Sequence, residues 1–392
     1  MQVDDVLVAY VEDYFETLSG LSYSDLERRQ DGFHASLAYG AAGIAYACWH
    51  TALVLEEPEL LDEAERWLAA TRGREQDRLS FLVPLSELRE RPASHFLFGE
   101  AGLVFVRALV SHARQDEAAR ATAITRFAEL SRASREGSPE LYNGVAGCLV
   151  GTAILMAYTG DARLRELGAE LASDLAGRAI PDEEGTFLWP ELRGLGLSHG
   201  SSGPHLALLI HSAATGSPLP EWYALSVEKL LGLALATPSR LCPSPSHHAM
   251  LCNGFAGLTF LGARAYRALG GQGLLEGARQ ACLLALAMTS HRPDLCCGRA
   301  GVAYGCLALS RVDQEGSWKT KATDLALSTL LCEREEWRKA GLYGGEAAIP
   351  CLASSLIAGI ATGPPALDLL ELSDSDLGAG QVMDNSSTGT TG

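Results

Sequence analysis

The chain has 392 residues, 47% of them hydrophobic, ten cysteines and a formal net charge of -17. That acidity excludes a nucleic-acid surface, which needs clustered Lys and Arg to replace phosphate counterions, and no run of about 18 uncharged apolar residues is present to span a bilayer. The N-terminus, "MQVDDVLVAYVEDYF", is acidic where a secretory signal would be basic, so a cytoplasmic, reducing location is expected, in which ten cysteines do not form a disulfide framework. The length admits two or three average domains or one repeat architecture.

From the N-terminus onward one short signature recurs six times, as "GAAG" at 40, "GEAG" at 99, "GVAG" at 144, "GSSG" at 200, "GFAG" at 254 and "GRAG" at 298, with a degenerate seventh copy at "GGEA", 344. The spacings are 59, 45, 56, 54, 44 and 46 residues, which is what two helices and two loops consume. Each signature opens an apolar run such as "IAYACWHTALVL", "CLVGTAILMAY" or "VAYGCLALSRV". Pro204 is confined to the first turn of its run, where it is tolerated. Between these runs lie amphipathic, charged segments such as "ELLDEAERWLAATRG" and "DARLRELGAELASDLAGRA".

Seven buried helices, each paired with a half-exposed one, predict an all-α fold of two concentric rings, an α/α toroid, with an open solenoid as the competing shape. The ring is expected over residues 1–372, and the polar, glycine-rich 373–392 as a disordered tail. The first glycine of each signature is expected in a positive-φ turn and the second where neighbouring helices approach closely.

A repeated register places the residues just before each signature at one end of the ring. Three thiols and a histidine gather there. Cys252 precedes its glycine by two positions, Cys296 and Cys297 precede theirs by two and one, and His199 precedes its own by one. Three soft thiolates at one opening suit a tetrahedral Zn2+ with one position left for substrate. A packing pair and a strained vicinal disulfide are the other readings of Cys296 and Cys297. Cys148, Cys282, Cys306, Cys332 and Cys351 sit in apolar runs as core residues.

These motifs together resemble the lanthionine synthetase C-like family, the cyclases of lanthipeptide biosynthesis. Its histidine-glycine, Cys-x-Gly and Cys-His-Gly motifs match "SHGSSG", "LCNGFAG" and "LCCGRAG" here. The resemblance implies a seven-repeat α/α barrel, a zinc held by Cys252, Cys296 and Cys297, and His199 as the catalytic acid. The family's usual ligand histidine is Cys297 in this chain, its acidic residue before the third signature is Glu140 rather than Asp, and its usual Arg before the first zinc cysteine is His248. The Trp and Tyr that flank that cysteine in the family are Leu251 and Asn253.

The implied reaction adds a peptide Cys thiol to dehydroalanine or dehydrobutyrine, closing a (methyl)lanthionine ring. Its implied partners are a dehydrated precursor peptide and a separate dehydratase, since no kinase signature is visible. Glu140, His248 and Asn253 are candidates to orient His199 or to polarise the substrate carbonyl. Other readings are glutathione addition to dehydrated residues, a peptide-binding scaffold, and a toroid glycosidase using Glu100 or Glu346.

Overall fold

The computed structural model describes residues 3–29, 34–74, 80–81, 93–314, 316–330 and 341–369. The expected tail at 373–392, and Cys332, lie outside them.

The chain opens with α1 (Val3–Ser19) and the short α2 (Tyr23–Arg29), after which helices alternate in character. The first of the inner set is α3 (Ala41–Val54), whose sequence "AAGIAYACWHTALV" has no charged face and is buried nearly all round. Its partner α4 (Leu60–Ala70) buries only Ala64, Trp67 and Leu68, turns Asp62 outward and sets Glu63 against the Trp67 indole N–H, and both carboxylates sit at the positive end of the helix dipole. The same alternation continues through α5 (Glu100–Ala113) and α6 (Glu117–Ala133), then α7 (Val145–Thr159) and α8 (Ala162–Gly177). It runs on through α9 (Ser202–Thr215) and α10 (Tyr223–Ala236), α11 (Phe255–Leu269) and α12 (Gln272–Ala287), and α13 (Arg299–Ser310) and α14 (Trp318–Leu330). The last described helix is α15 (Ala348–Ile357). A two-residue hairpin, Ile180–Pro181 with Phe187–Leu188, interrupts the α8–α9 connection.

The inner helices α3, α5, α7, α9, α11, α13 and α15 pack each on the next, and α15 returns to α3. The ring is therefore closed, an α/α toroid and not a solenoid. The outer place beside α15 is filled by α1 from the other end of the chain. The seventh hairpin is thus assembled from both termini, where the sequence pattern suggested a contiguous unit.

A cycle of backbone hydrogen bonds joins the turns that precede the inner helices. Ala38 N–H donates to Leu97 O (2.9 Å), Leu97 to Tyr142 (3.0 Å), Tyr142 to Ser198 (3.4 Å) and Ser198 to Cys252 (2.7 Å). Cys252 donates to Cys296 (3.3 Å), Cys296 to Tyr343 (2.9 Å), and Tyr343 back to Ala38 (2.9 Å). Six of these residues stand two positions before a signature glycine. Tyr343 shares their place only if the seventh signature begins at Gly345, so that copy reads "GEAA", one residue later than the sequence suggested.

The signature glycines answer close approach more than torsion. Gly144 has φ -135° and ψ -161°, extended backbone open to any residue, and not the positive-φ turn expected for the first glycine of a signature. A Cβ there would meet Ser138 O at 1.9 Å. The second glycine of each copy lets the turns nest: a Cβ on Gly102 would lie 2.0 Å from Phe96 O and 2.9 Å from Leu37 Cβ of the preceding repeat.

Residues 362–368 are buried and occupy the interior of the ring. Their contacts come from different sides: Ala366 N–H donates to Tyr46 Oη of α3 (2.9 Å), Tyr343 Oη donates to Pro365 O (2.8 Å), and Asp368 pairs with Arg264 of α11 (2.9 Å).

Candidate metal centre and its histidine–glutamate pair

All inner helices start from the same end of the ring, so their positive N-terminal ends converge on one opening. The residue two before each first glycine lies in the hydrogen-bonded cycle, and the one after it is Tyr39, Phe98, Asn143, His199, Asn253, Cys297 or Gly344. Cys252 enters from the turn before α11, and Cys296 and Cys297 from the turn before α13.

Their three sulfurs lie within 4.8 Å of one another, with Cys252 Sγ and Cys297 Sγ at 3.9 Å. A tetrahedral zinc with Zn–S bonds of about 2.3 Å sets its sulfurs about 3.8 Å apart, so this donor set fits that ion. No disulfide joins any pair of them. The Cys297 thiol is pushed down to about 3 by hydrogen bonds from Cys252 and Cys296, with Arg292 and His247 adding positive charge. The Cys296 thiol is pushed up by its hydrogen bonds with Cys252 and Cys297 and by burial. Three thiolates this close repel one another, and a bound cation is what would let all three ionise together.

The backbone of Cys297 is fixed by Asp294, which is almost fully buried: Cys297 N–H donates to Asp294 Oδ1 (2.7 Å), and Arg292 Nε to Asp294 Oδ2 (2.8 Å). Burial lifts the Asp294 carboxyl above its ordinary range, against the pull of these donors. Asp294 stands four places before its signature glycine, the place that Ser36 fills in the first repeat, where Ser36 Oγ accepts from Tyr39 N–H (3.2 Å). This column of the repeat is readable in the sequence, but only the contact with the Cys297 backbone gives Asp294 its role.

Glu140 occupies the same column in the third repeat. Its Oε2 lies 2.8 Å from His199 Nδ1, and its Oε1 accepts from Asn143 Nδ2 (2.6 Å). Burial raises the Glu140 carboxyl, but the His199 hydrogen bond and charge, with Asn143, outweigh it and hold it below its ordinary value. With its Nδ1 on the carboxylate, His199 is held in one orientation, and its side chain is 47% exposed, open to the mouth of the ring. The ring of His199 stands edge-on to Tyr142, which in turn meets Tyr343 and Phe98, and Phe98 stacks on Tyr39. The members of this aromatic wall each stand one or two places before a signature glycine, so the register brings them to this end, but which of them touch is not written in the sequence.

His248 is brought to the same loop with a different set of contacts. Its Nε2–H donates to Cys242 O (2.8 Å), its ring lies edge-on to Phe255, and its carbonyl oxygen receives Phe255 N–H (2.6 Å). These contacts tie the loop that leads into Cys252 and α11. Asn253 packs over Gly196, where a Cβ would meet Asn253 Oδ1 at 2.5 Å. Glu100 has both oxygens on Arg126 (2.7 and 2.9 Å), in a cleft on the flank between the α3–α4 and α5–α6 hairpins. Such a clamp suits a structural ion pair and not a glycosidase acid.

A family model described as "Lanthionine synthetase C-like protein" matches residues 31–362. The chain belongs to the lanthionine synthetase C-like family. A solved structure of nisin cyclase has the same fold, with a TM-score of 0.65 over 93% of this chain and 96% of that one, at 12% identity. A tryptophan synthase alpha chain from Mycobacterium ulcerans (strain Agy99) is 34% identical over 137 residues, 32% of this chain and 51% of that protein. That match spans about half of its relative and does not bear on the closed ring. The family match takes in all three cysteines, Glu140 and His199, and among the described residues no helix is long and apolar enough to cross a membrane.

Proposed function

We propose that this protein is a zinc-dependent lanthipeptide cyclase, which adds cysteine thiols of a dehydrated precursor peptide to dehydroalanine or dehydrobutyrine and so forms (methyl)lanthionine rings. The observation that carries this reading is the convergence of Cys252, Cys296 and Cys297 within 4.8 Å at the end of the ring that also holds the His199–Glu140 pair.

Cys252, Cys296 and Cys297 would hold the zinc. Bound there, the ion would ionise the substrate thiol, of which only a few per cent is thiolate at neutral pH. As the sulfur–carbon bond forms at the β-carbon, the electron pair of the double bond moves onto the α-carbon and its carbonyl, and the α-carbon then takes a proton. His199 donates that proton, Glu140 keeps its ring in one orientation, and Asn143 holds Glu140 in place. His248 keeps the Cys252 loop in shape. Asp294 fixes the turn that presents Cys297.

Three cysteine ligands bring the site to a net charge of -1 where two cysteines and a histidine would leave it neutral. More electron density stays on a bound substrate sulfur, which makes it a better nucleophile. A separate dehydratase prepares the peptide, and the free thiols that the reaction consumes belong in the reducing cytoplasm.

The test is to incubate the protein with a dehydrated, cysteine-containing precursor peptide, alkylate residual thiols and weigh the products. Loss of alkylatable thiols without change in peptide mass is expected, together with about one zinc per chain by elemental analysis. A metal-free protein, or a peptide whose thiols all remain, sinks the reading. Consumption of added glutathione with the peptide's own thiols untouched would replace it with intermolecular addition.

A further inference from the structure

In a ring of seven turns, the first repeat and the sixth are separated by the seventh alone. The sixth presents Cys297 and the first presents Tyr39, each immediately before its signature glycine. The corresponding residue of the seventh repeat is Gly344, which has no side chain to stand between them. The ring of Tyr39 occupies that place: a Cβ on Gly344 would lie 2.1 Å from Tyr39 Cε1 and 2.8 Å from Cδ1. Gly341 admits the backbone below it, where a Cβ would come within 2.3 Å of Tyr39 Cα. Phe98 covers the ring, stacked at 5.6 Å and 23°. After burial, the charges that bear most on the Tyr39 phenol are those of Cys296 and Cys297, followed by Asp294 and Cys252.

We propose that Tyr39 is a substrate-binding residue of the metal centre, laid over Gly344 so that its ring lies beside the turn that carries Cys296 and Cys297 and its hydroxyl donates a hydrogen bond to the substrate sulfur held there. This rests on the zinc-cyclase reading. The chemistry is complementary, since three thiolates offer only acceptors and a phenol is a neutral donor at working pH. A donor to the substrate sulfur offsets part of the crowded negative charge without adding a cation, which would pair with the ligand thiolates instead. His199, which serves the α-carbon, belongs to the fourth repeat, so sulfur and α-carbon are served from different parts of the ring.

The experiment replaces zinc with Co2+ and titrates the protein with N-acetylcysteine amide, following the sulfur-to-cobalt absorption band. Wild type, Tyr39→Phe and Gly344→Ala are compared, with cobalt content and thermal unfolding measured alongside. Tyr39→Phe keeps the stacking on Phe98 and loses only the hydroxyl, so it should retain cobalt and unfolding temperature while binding the thiol at least about tenfold more weakly, as loss of one hydrogen bond to a charged group implies. Gly344→Ala displaces the whole ring and should weaken the thiol at least as much. If Tyr39→Phe binds the thiol as tightly as wild type, the proposal is overturned while the metal centre stands. A wild type that takes up no cobalt overturns both.

Discussion

Cys252 and Cys297, 45 residues apart in the chain, bring their sulfurs to 3.9 Å because consecutive turns of the ring are tied through Cys252 N–H and Cys296 O. The ligand set is therefore a product of the repeat, not of a local loop. Cys252→Ala or Cys297→Ala should lower zinc affinity by more than the 10–100-fold typical of losing an outer partner. Cys282→Ala, which breaks the buried contact with Cys306 at 3.5 Å away from the three-cysteine cluster, should leave metal content at wild-type level. Elemental analysis of the three variants decides this, and zinc retained in Cys252→Ala would show that the ligands lie elsewhere.

Cys297→His tests what the third thiolate does. Imidazole also binds zinc in tetrahedral geometry, at about 2.0–2.1 Å, so the variant should keep its metal. The site loses one negative charge, the substrate sulfur becomes less nucleophilic, and ring closure should slow although the thiol still ionises. Zinc content measured beside the single-turnover cyclisation rate separates the two effects. A variant that cyclises as fast as wild type would show that the extra charge has no kinetic role.

Much of this is legible in the sequence. The signature supplies seven inner helices and their common end, which locates the cysteines and His199 at one opening. The closed toroid expected from seven repeats is what forms, but the outer partner of α15 is not legible, because α1 fills that place from the opposite end of the chain and no periodicity links the two. The start of the seventh signature differs by one residue because "GG" offers two starts, and only the Tyr343–Ala38 hydrogen bond chooses between them. The repeat register marks the places of Asp294 and Tyr39 but not their roles, for a related reason: their importance lies in which neighbour they reach, and side-chain reach across a turn has no linear signature.

The Glu140–His199 contact makes a statement about pH. The Glu140 carboxyl is held below its ordinary value in the folded chain, so the stability that this carboxylate contributes is fully present above its unfolded value of about 4.3 and is lost as the pH falls through its lower folded value. Glu140→Gln should therefore be less stable than wild type at neutral pH, with the difference shrinking below about pH 4. The same substitution removes the carboxylate that holds His199 Nδ1, so cyclisation should slow. Denaturant melts at several pH values and a pH–rate profile give the two readings. A stability gap that widens as the solution is acidified would contradict the assigned sign.

Arg264 and Asp368 form a buried ion pair at 2.9 Å, with side chains 8% and 1% exposed, which pins residues 362–368 inside the ring. Removing one member leaves the other charge in a place where water cannot solvate it. Asp368→Ala should then cost about 3–5 kcal/mol. Replacing both by leucine removes the stranded charge and should recover a large part of that loss, because burying two ions is itself expensive. The segment also touches the metal end through the Tyr343 hydroxyl on Pro365 O, while Tyr343 O holds Cys296 N–H. Zinc affinity should accordingly fall in Asp368→Ala and return in the double variant, since a loosened segment loosens Tyr343. Urea unfolding and zinc competition with a chelator measure the two quantities on the same proteins. Equal stability for the single and double variants would mean that the pair does not act as a unit, and unchanged zinc affinity in Asp368→Ala would show that Tyr343 is held by the hydrogen-bonded cycle alone.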